Sequence, residues 1–156
     1  MLKNLNPLLN ADVLHVLRAM GHGDDLVICD ANFPGAAVAR STVVGQALRL
    51  DGANTVEVLR AVLSVLPLDT FVDCPAWRME VVGEPDTLPQ VQREALIEIE
   101  AAEGRAVKLA GLERFAFYER AGKAYGVIVT GEQRGYGCFI LRKGVLLARD
   151  APVASR

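Results

Sequence analysis

Apolar residues recur at helical spacing between Asn10 and Met20, where Val13, Leu14, Leu17 and Met20 share one side. Asn10 is placed to cap this helix, Asp12 lies in the first turn where the dipole favours an anion, and Gly21 is read as its end. The short continuous run Leu26 to Cys29 suits a strand covered on both faces, which puts Asp30 at its C-terminal end. A second helix is expected from about Asn54 to Leu66, with Val56, Leu59, Val62, Leu63 and Leu66 on one side and Pro67 as the stop.

Strands are expected at Thr70 to Cys74 and at Trp77 to Val82, and a helix from about Pro89 to Glu103 whose Glu94, Glu98 and Glu103 read as a solvated face. Glu113 to Ala124 reads as a further helix. The segments Tyr125 to Glu132 and Cys138 to Gly144 then read as two strands joined by a glycine-rich turn. Strands alternating with helices argue for an α/β sheet with helices on its faces. No repeat or linker interrupts the pattern, so one domain is expected over residues 1–149, with a loose tail at residues 150–156.

The 156 residues are 51% hydrophobic and 23% charged, values that exclude a disordered chain. A net charge of −2, with both signs mixed, leaves no basic field to hold nucleic acid. No apolar run is long enough to span a membrane and the N-terminus lacks the apolar stretch of a secretory signal, so the cytoplasm is the expected location. The three cysteines, Cys29, Cys74 and Cys138, have neither ligand spacing nor an even count. Neither zinc nor a disulfide framework is indicated, and Cys29 and Cys74 are read as small buried hydrophobes.

Candidate chemistry begins at Gly21-His22-Gly23. Two flanking glycines let the backbone turn sharply and a ligand approach closely. Read alone, the triplet also fits a helix cap followed by a loop glycine, with His22 a bystander. Ligand crevices of open α/β sheets lie beyond the carboxyl ends of strands, where Asp30 is expected. His22 precedes the same strand, so within one subunit the two residues stand apart unless the Asn32-Phe33-Pro34 segment folds back or a neighbouring subunit completes the site.

The blocks G-H-G-D (21–24), D-A-N-F-P (30–34), F-A-F-Y-E-R-A (115–121), V-T-G-E (129–132) and Y-G (136–137) resemble, in order, the fucose mutarotase and ribose pyranase family. F-A-F-Y-E-R-A and the glycine after His22 place the resemblance nearer the fucose mutarotase branch. The resemblance implies a three-layer α/β/α fold, a ring-shaped homo-oligomer, typically a decamer, with sites between subunits, and cofactor-free interconversion of the cyclic forms of a monosaccharide. It implies His22 as the proton donor and places further site residues at Asp30, Asp69, Arg114, Tyr118 and Tyr136; Tyr118, taken as the second catalytic group, or Tyr136 is the residue that holds or relays the second proton. The asparagine of the family's Y-G-N signature is replaced here by Cys138.

Mutarotation delivers a proton to the ring oxygen while another leaves the anomeric hydroxyl, work suited to a histidine, whose unperturbed pKa is about 6.5. Charged hydrogen bonds from Asp30, Asp69 and Arg114 suit sugar hydroxyls. Taken singly, Asp30 also fits a cap, Asp69 a turn, Arg114 a surface ion pair, and Tyr118 core packing beside Phe115 and Phe117. Cys138 offers a weak donor and acceptor in place of an amide, which leaves two further readings open: a different sugar, D-ribose included, or sugar binding without catalysis. A nucleophilic Cys138 would need a lowered thiol pKa. His15 is read as a surface histidine, and Trp77 as either core or pocket lining.

Overall fold

The computed structural model describes residues 2–147, so the tail expected at residues 150–156 lies outside the described residues. The chain runs α1 (Ala11–Ala19), β1 (Asp25–Cys29), α2 (Gly35–Ala39), β2 (Ala47–Leu50), α3 (Thr55–Leu63), β3 (Ala76–Met79), α4 (Gln90–Glu103), β4 (Leu109–Leu112), α5 (Arg114–Gly122), β5 (Gly126–Thr130) and β6 (Phe139–Arg142). The strands form one sheet in the order β2-β5-β1-β6-β3-β4. β1, β2 and β5 run parallel, as do β3 and β4, while β6 is antiparallel to both β1 and β3.

Strand alternation divides the core between the two faces. Leu26 and Ile28 of β1 meet α1, α3 and α4 through Val13, Val58, Leu59, Ala95 and Ile99. Val27 and Cys29 meet α2 and α5 through Ala39, Phe117 and Ala121. The result is the expected three-layer α/β/α arrangement. Local signals set the helix starts: Asn10 Oδ1 accepts from Val13 N–H at 3.0 Å, and Asn54 and Glu57 exchange side-chain-to-backbone bonds as a capping box. α2 lies so close to β5 that a Cβ on Gly35 would come within 2.3 Å of Val129 Cγ2, which reserves this position for glycine.

Several expectations are corrected. Residues 70–73 form bends and Cys74 joins no strand, because Asp69 Oδ1 takes the Phe71 N–H at 2.9 Å and so draws the backbone into an Asx-type turn instead of a ladder. The last two strands are not neighbours: β1 lies between β5 and β6. Glu94, Glu98 and Glu103 are half-buried, Glu94 pairing with Arg134, Glu98 with Arg60 and Glu103 with Arg105. α1 ends at Ala19, with Met20 as its cap in extended backbone and Gly21 just beyond it. Cys29 is buried but Cys74 is only half-buried. α2, β2 and β4 are short elements without a periodic signal of their own.

This topology sorts the sheet's two edges. β1, β3 and β4 end at the edge where the reversed β6 begins, so Asp30, Glu80 and Glu113 gather there with Tyr136 and Cys138. The opposite edge carries the approach to β1, with His22, and the end of β6.

Candidate functional site

The G-H-G-D segment is a closed turn. Gly21 N–H donates to Asp24 Oδ2 at 2.6 Å, and Gly23 has φ +86, a conformation that suits glycine. Gly23 N–H donates to Lys143 O and Lys143 N–H to Asp24 O, both at 2.9 Å, which hangs the turn on the end of β6. The imidazole of His22 is thereby held at the surface, 43% exposed.

Asp69 hangs from the same place, its N–H bonded to Arg142 O at 3.0 Å. Its carboxylate is only 3% exposed and places Oδ2 3.1 Å from His22 Nε2. Burial works against its charge, yet the Phe71 N–H and His22 hold the Asp69 carboxyl below the usual range. Phe71 stands exposed with its ring 5.4 Å from the His22 ring at 88°, edge to face. Neither Phe71 nor this pairing was evident from the sequence, because the Thr70 to Cys74 segment reads there as a strand.

At the opposite edge Asp30 is 5% exposed and ties two loops together. Its Oδ1 accepts from Asn32 N–H at 3.0 Å and Phe33 N–H at 3.1 Å. Its Oδ2 accepts from Gly137 N–H and from the Cys138 thiol, both at 3.2 Å. Cys138 is 2% exposed, and burial followed by the Asp30 charge pushes its thiol well up, which argues against a nucleophile. Tyr136, between Gly135 and Gly137, has φ 64, and its hydroxyl accepts from Val82 N–H at 3.3 Å.

Arg114 opens α5 beside β4, its guanidinium 4.8 Å from the Phe115 ring centre, and lines a groove of about 200 Å³ with Glu80, Val82, Pro85 and Glu113. Tyr118 is half-buried, its ring 5.4 Å from Phe33 and 6.3 Å from Phe115. The structure therefore brings His22 together with Asp69, and Asp30 together with Tyr136 and Cys138. It does not join the two groups, because the five residues of β1, each rising about 3.3 Å, separate His22 from Asp30 by roughly 16 Å.

Beside the His22 turn a polar cleft of about 350 Å³ is lined by Gly23, Asp25, Arg120, Tyr125 and Arg142 among others. Asp25 accepts from Arg120 Nε and Arg142 Nε, each at 3.0 Å, and the Arg120 guanidinium lies 3.4 Å from the Trp77 ring centre. Trp77 thus serves as a platform between the core and this cleft. Residues so far apart in the chain carry no common sequence signal. His15 is exposed on α1, as expected.

Among the described residues no group of three or more His, Cys, Asp or Glu side chains could hold a metal ion, and no helix is long and apolar enough to cross a membrane.

The profile of the RbsD / FucU transport protein family matches residues 3–146. The fucose mutarotase of Homo sapiens is 44% identical over 148 residues, covering 93% of this chain and 94% of that protein. Among solved structures, protein Atu2016 is 58% identical with a TM-score of 0.92, covering 94% of this chain and 97% of its own. The fucose mutarotase of Streptococcus pneumoniae, solved in complex with L-fucose, is 37% identical with a TM-score of 0.84, covering 94% of this chain and all of its own (100%). A match along nearly the whole chain makes this protein a member of the RbsD/FucU family.

Proposed function

We propose that this protein interconverts the anomers of L-fucose or a closely related monosaccharide by general acid–base catalysis. The observation that carries the proposal is the exposed His22 imidazole set 3.1 Å from the buried Asp69 carboxylate. A carboxylate against Nε2 orients the ring and favours the tautomer with hydrogen on that nitrogen, so Nδ1 is the atom that exchanges protons with the sugar.

Protonation of the ring oxygen from Nδ1 of the imidazolium form of His22, with the anomeric hydroxyl proton passed through Tyr118 to solvent, breaks the C1–O5 bond and leaves the open aldehyde. Rotation about C1–C2 presents the other carbonyl face; the hydroxyl attacks it, the carbonyl oxygen regains a proton, and His22 is restored. Proton transfer of this kind asks for no cofactor. Tyr118 is assigned to the second proton. Asp30, Tyr136, Cys138 and Arg114 form the sugar-holding edge, where Asp30 and Cys138 act by fixing the loops that carry Tyr136 and Phe33.

The roughly 16 Å between His22 and Asp30 is closed when the His22 edge of one subunit meets the Asp30 edge of the next. A head-to-tail contact of this kind generates a ring, and a decamer is the assembly proposed. One domain over residues 1–149, in the cytoplasm, completes the reading.

Exchange spectroscopy by NMR on L-fucose, D-ribose and other aldoses, with the wild type and His22→Ala, tests it. Anomer exchange faster than in buffer for one sugar, lost in His22→Ala, is the expected result. Wild-type-like exchange in His22→Ala removes the catalytic assignment. Saturable binding without accelerated exchange favours a sugar-binding protein, a second reading that rests on Cys138 in place of the signature asparagine. Acceleration of ribose in preference to fucose makes the chain a pyranase.

A further inference from the structure

Tyr136 carries φ 64, a backbone conformation that a residue with a Cβ sustains only when its surroundings hold it. The holder is Gln92, on α4 and 0% exposed. Its Nε2 donates to Tyr136 O at 3.0 Å and to Met79 O at 2.7 Å, and its Oε1 accepts from Arg78 Nη1 at 3.3 Å. Two carbonyls facing one end of the amide and a guanidinium facing the other leave only this orientation of the group.

Arg78 is itself unusual. It lies on β3, 7% exposed, and among the described residues it makes no ion pair with a carboxylate. Besides Gln92 it donates, through Nη2, to Pro85 O at 2.8 Å. That bond anchors the loop whose Val82 N–H reaches the Tyr136 hydroxyl at 3.3 Å. A buried guanidinium held only by neutral acceptors is costly to keep, and a side chain kept at such a cost marks a position where geometry matters.

We infer that Arg78 and Gln92 form a brace that positions Tyr136 for the sugar. Gln92 holds the backbone of Tyr136, and Arg78 holds the loop that fixes its hydroxyl. Because the Val82 N–H occupies one lone pair of the phenolic oxygen, the Tyr136 O–H hydrogen is left to donate to a ligand. Gln92 and Arg78 are positioning residues, and the inference rests on the proposed role of Tyr136 at the sugar.

The test compares wild type, Gln92→Leu, Tyr136→Phe and the double variant by L-fucose anomer exchange and by amide hydrogen exchange at Val82 and Gly137. Gln92→Leu is expected to lower kcat/KM about tenfold, as small misplacements at a site do. It should cost nothing further in the Tyr136→Phe background, since residues that act as a unit are not additive. Protection of the Val82 amide should fall in Gln92→Leu. Independent, multiplicative losses, or retained Val82 protection, overturn the brace. Gln92→Glu keeps the shape and the Arg78 partner but lacks the donor pair, and takes over the test if Gln92→Leu does not fold. Absence of exchange in the wild type overturns the mutarotase reading, while Val82 protection still decides the brace.

Discussion

His22 and Asp30 stand at opposite ends of β1, one on an exposed turn and the other buried beneath two loops. A single subunit therefore presents half of the proposed chemistry at each edge of its sheet, and the expected consequences differ from those of a self-contained pocket.

Two impaired variants, His22→Ala and Tyr136→Phe, should regain activity when unfolded together and refolded as a mixture. In a head-to-tail ring each site takes one edge from each of two subunits, so random mixing restores about a quarter of the sites. NMR exchange on the mixture reads this directly. No recovery would place the whole site within one subunit.

Replacing His22 by alanine should lower anomer exchange about 10²- to 10⁴-fold, the range for loss of a general acid–base. Asp69→Asn should cost less, about tenfold or more, because the ring stays in place but loses the charge that orients it. Equal losses in the two variants would mean that Asp69 takes part in proton transfer itself.

Asp69 also predicts a pH dependence. Its carboxyl is held below the usual range against the opposing effect of burial. A group whose pKa is lower when folded adds stability that is fully present above the unfolded value, about 3.9, and lost as pH falls through the lower folded value. Urea unfolding should show wild type more stable than Asp69→Asn at about pH 5, where the carboxyl is ionised in both states. The margin should shrink below about pH 4. A margin that holds at lower pH would show that the charge of Asp69 does not contribute.

The glycines around His22 are not equivalent. A Cβ on Gly21 would meet nothing nearer than Asp24 Oδ2 at 3.6 Å, whereas Gly23 sits at φ +86. Gly21→Ala should be nearly neutral, and Gly23→Ala should cost about 1 kcal/mol or more. Denaturant midpoints of the two variants check this, and equal values would contradict the turn geometry.

Thiol reactivity separates the cysteines. Burial, then the neighbouring Asp30 charge, raises the pKa of both Cys29 and Cys138, while Cys74 is half-buried. An alkylating reagent should modify Cys74 in the folded protein and the other two only on unfolding. Rapid labelling of Cys138 in the native state would reopen a nucleophilic role.

Periodicity and caps made much of the fold legible in the chain itself. α1, α3, α4 and α5 and the buried strands β1, β5 and β6 follow from local spacing, because each must turn an apolar stripe or face inward. The ordered blocks identified the family, since short motifs in sequence order are more specific than any one of them. Sequence alone did not decide which residues touch. The pairing of His22 with Asp69, the seat of Cys138 on Asp30, the Gln92 brace under Tyr136 and the Trp77 platform under Arg120 each join residues far apart in the chain. They depend on strand order and on the reversed direction of β6, which periodicity does not encode, because a strand's apolar pattern says which face is buried and nothing about its neighbour.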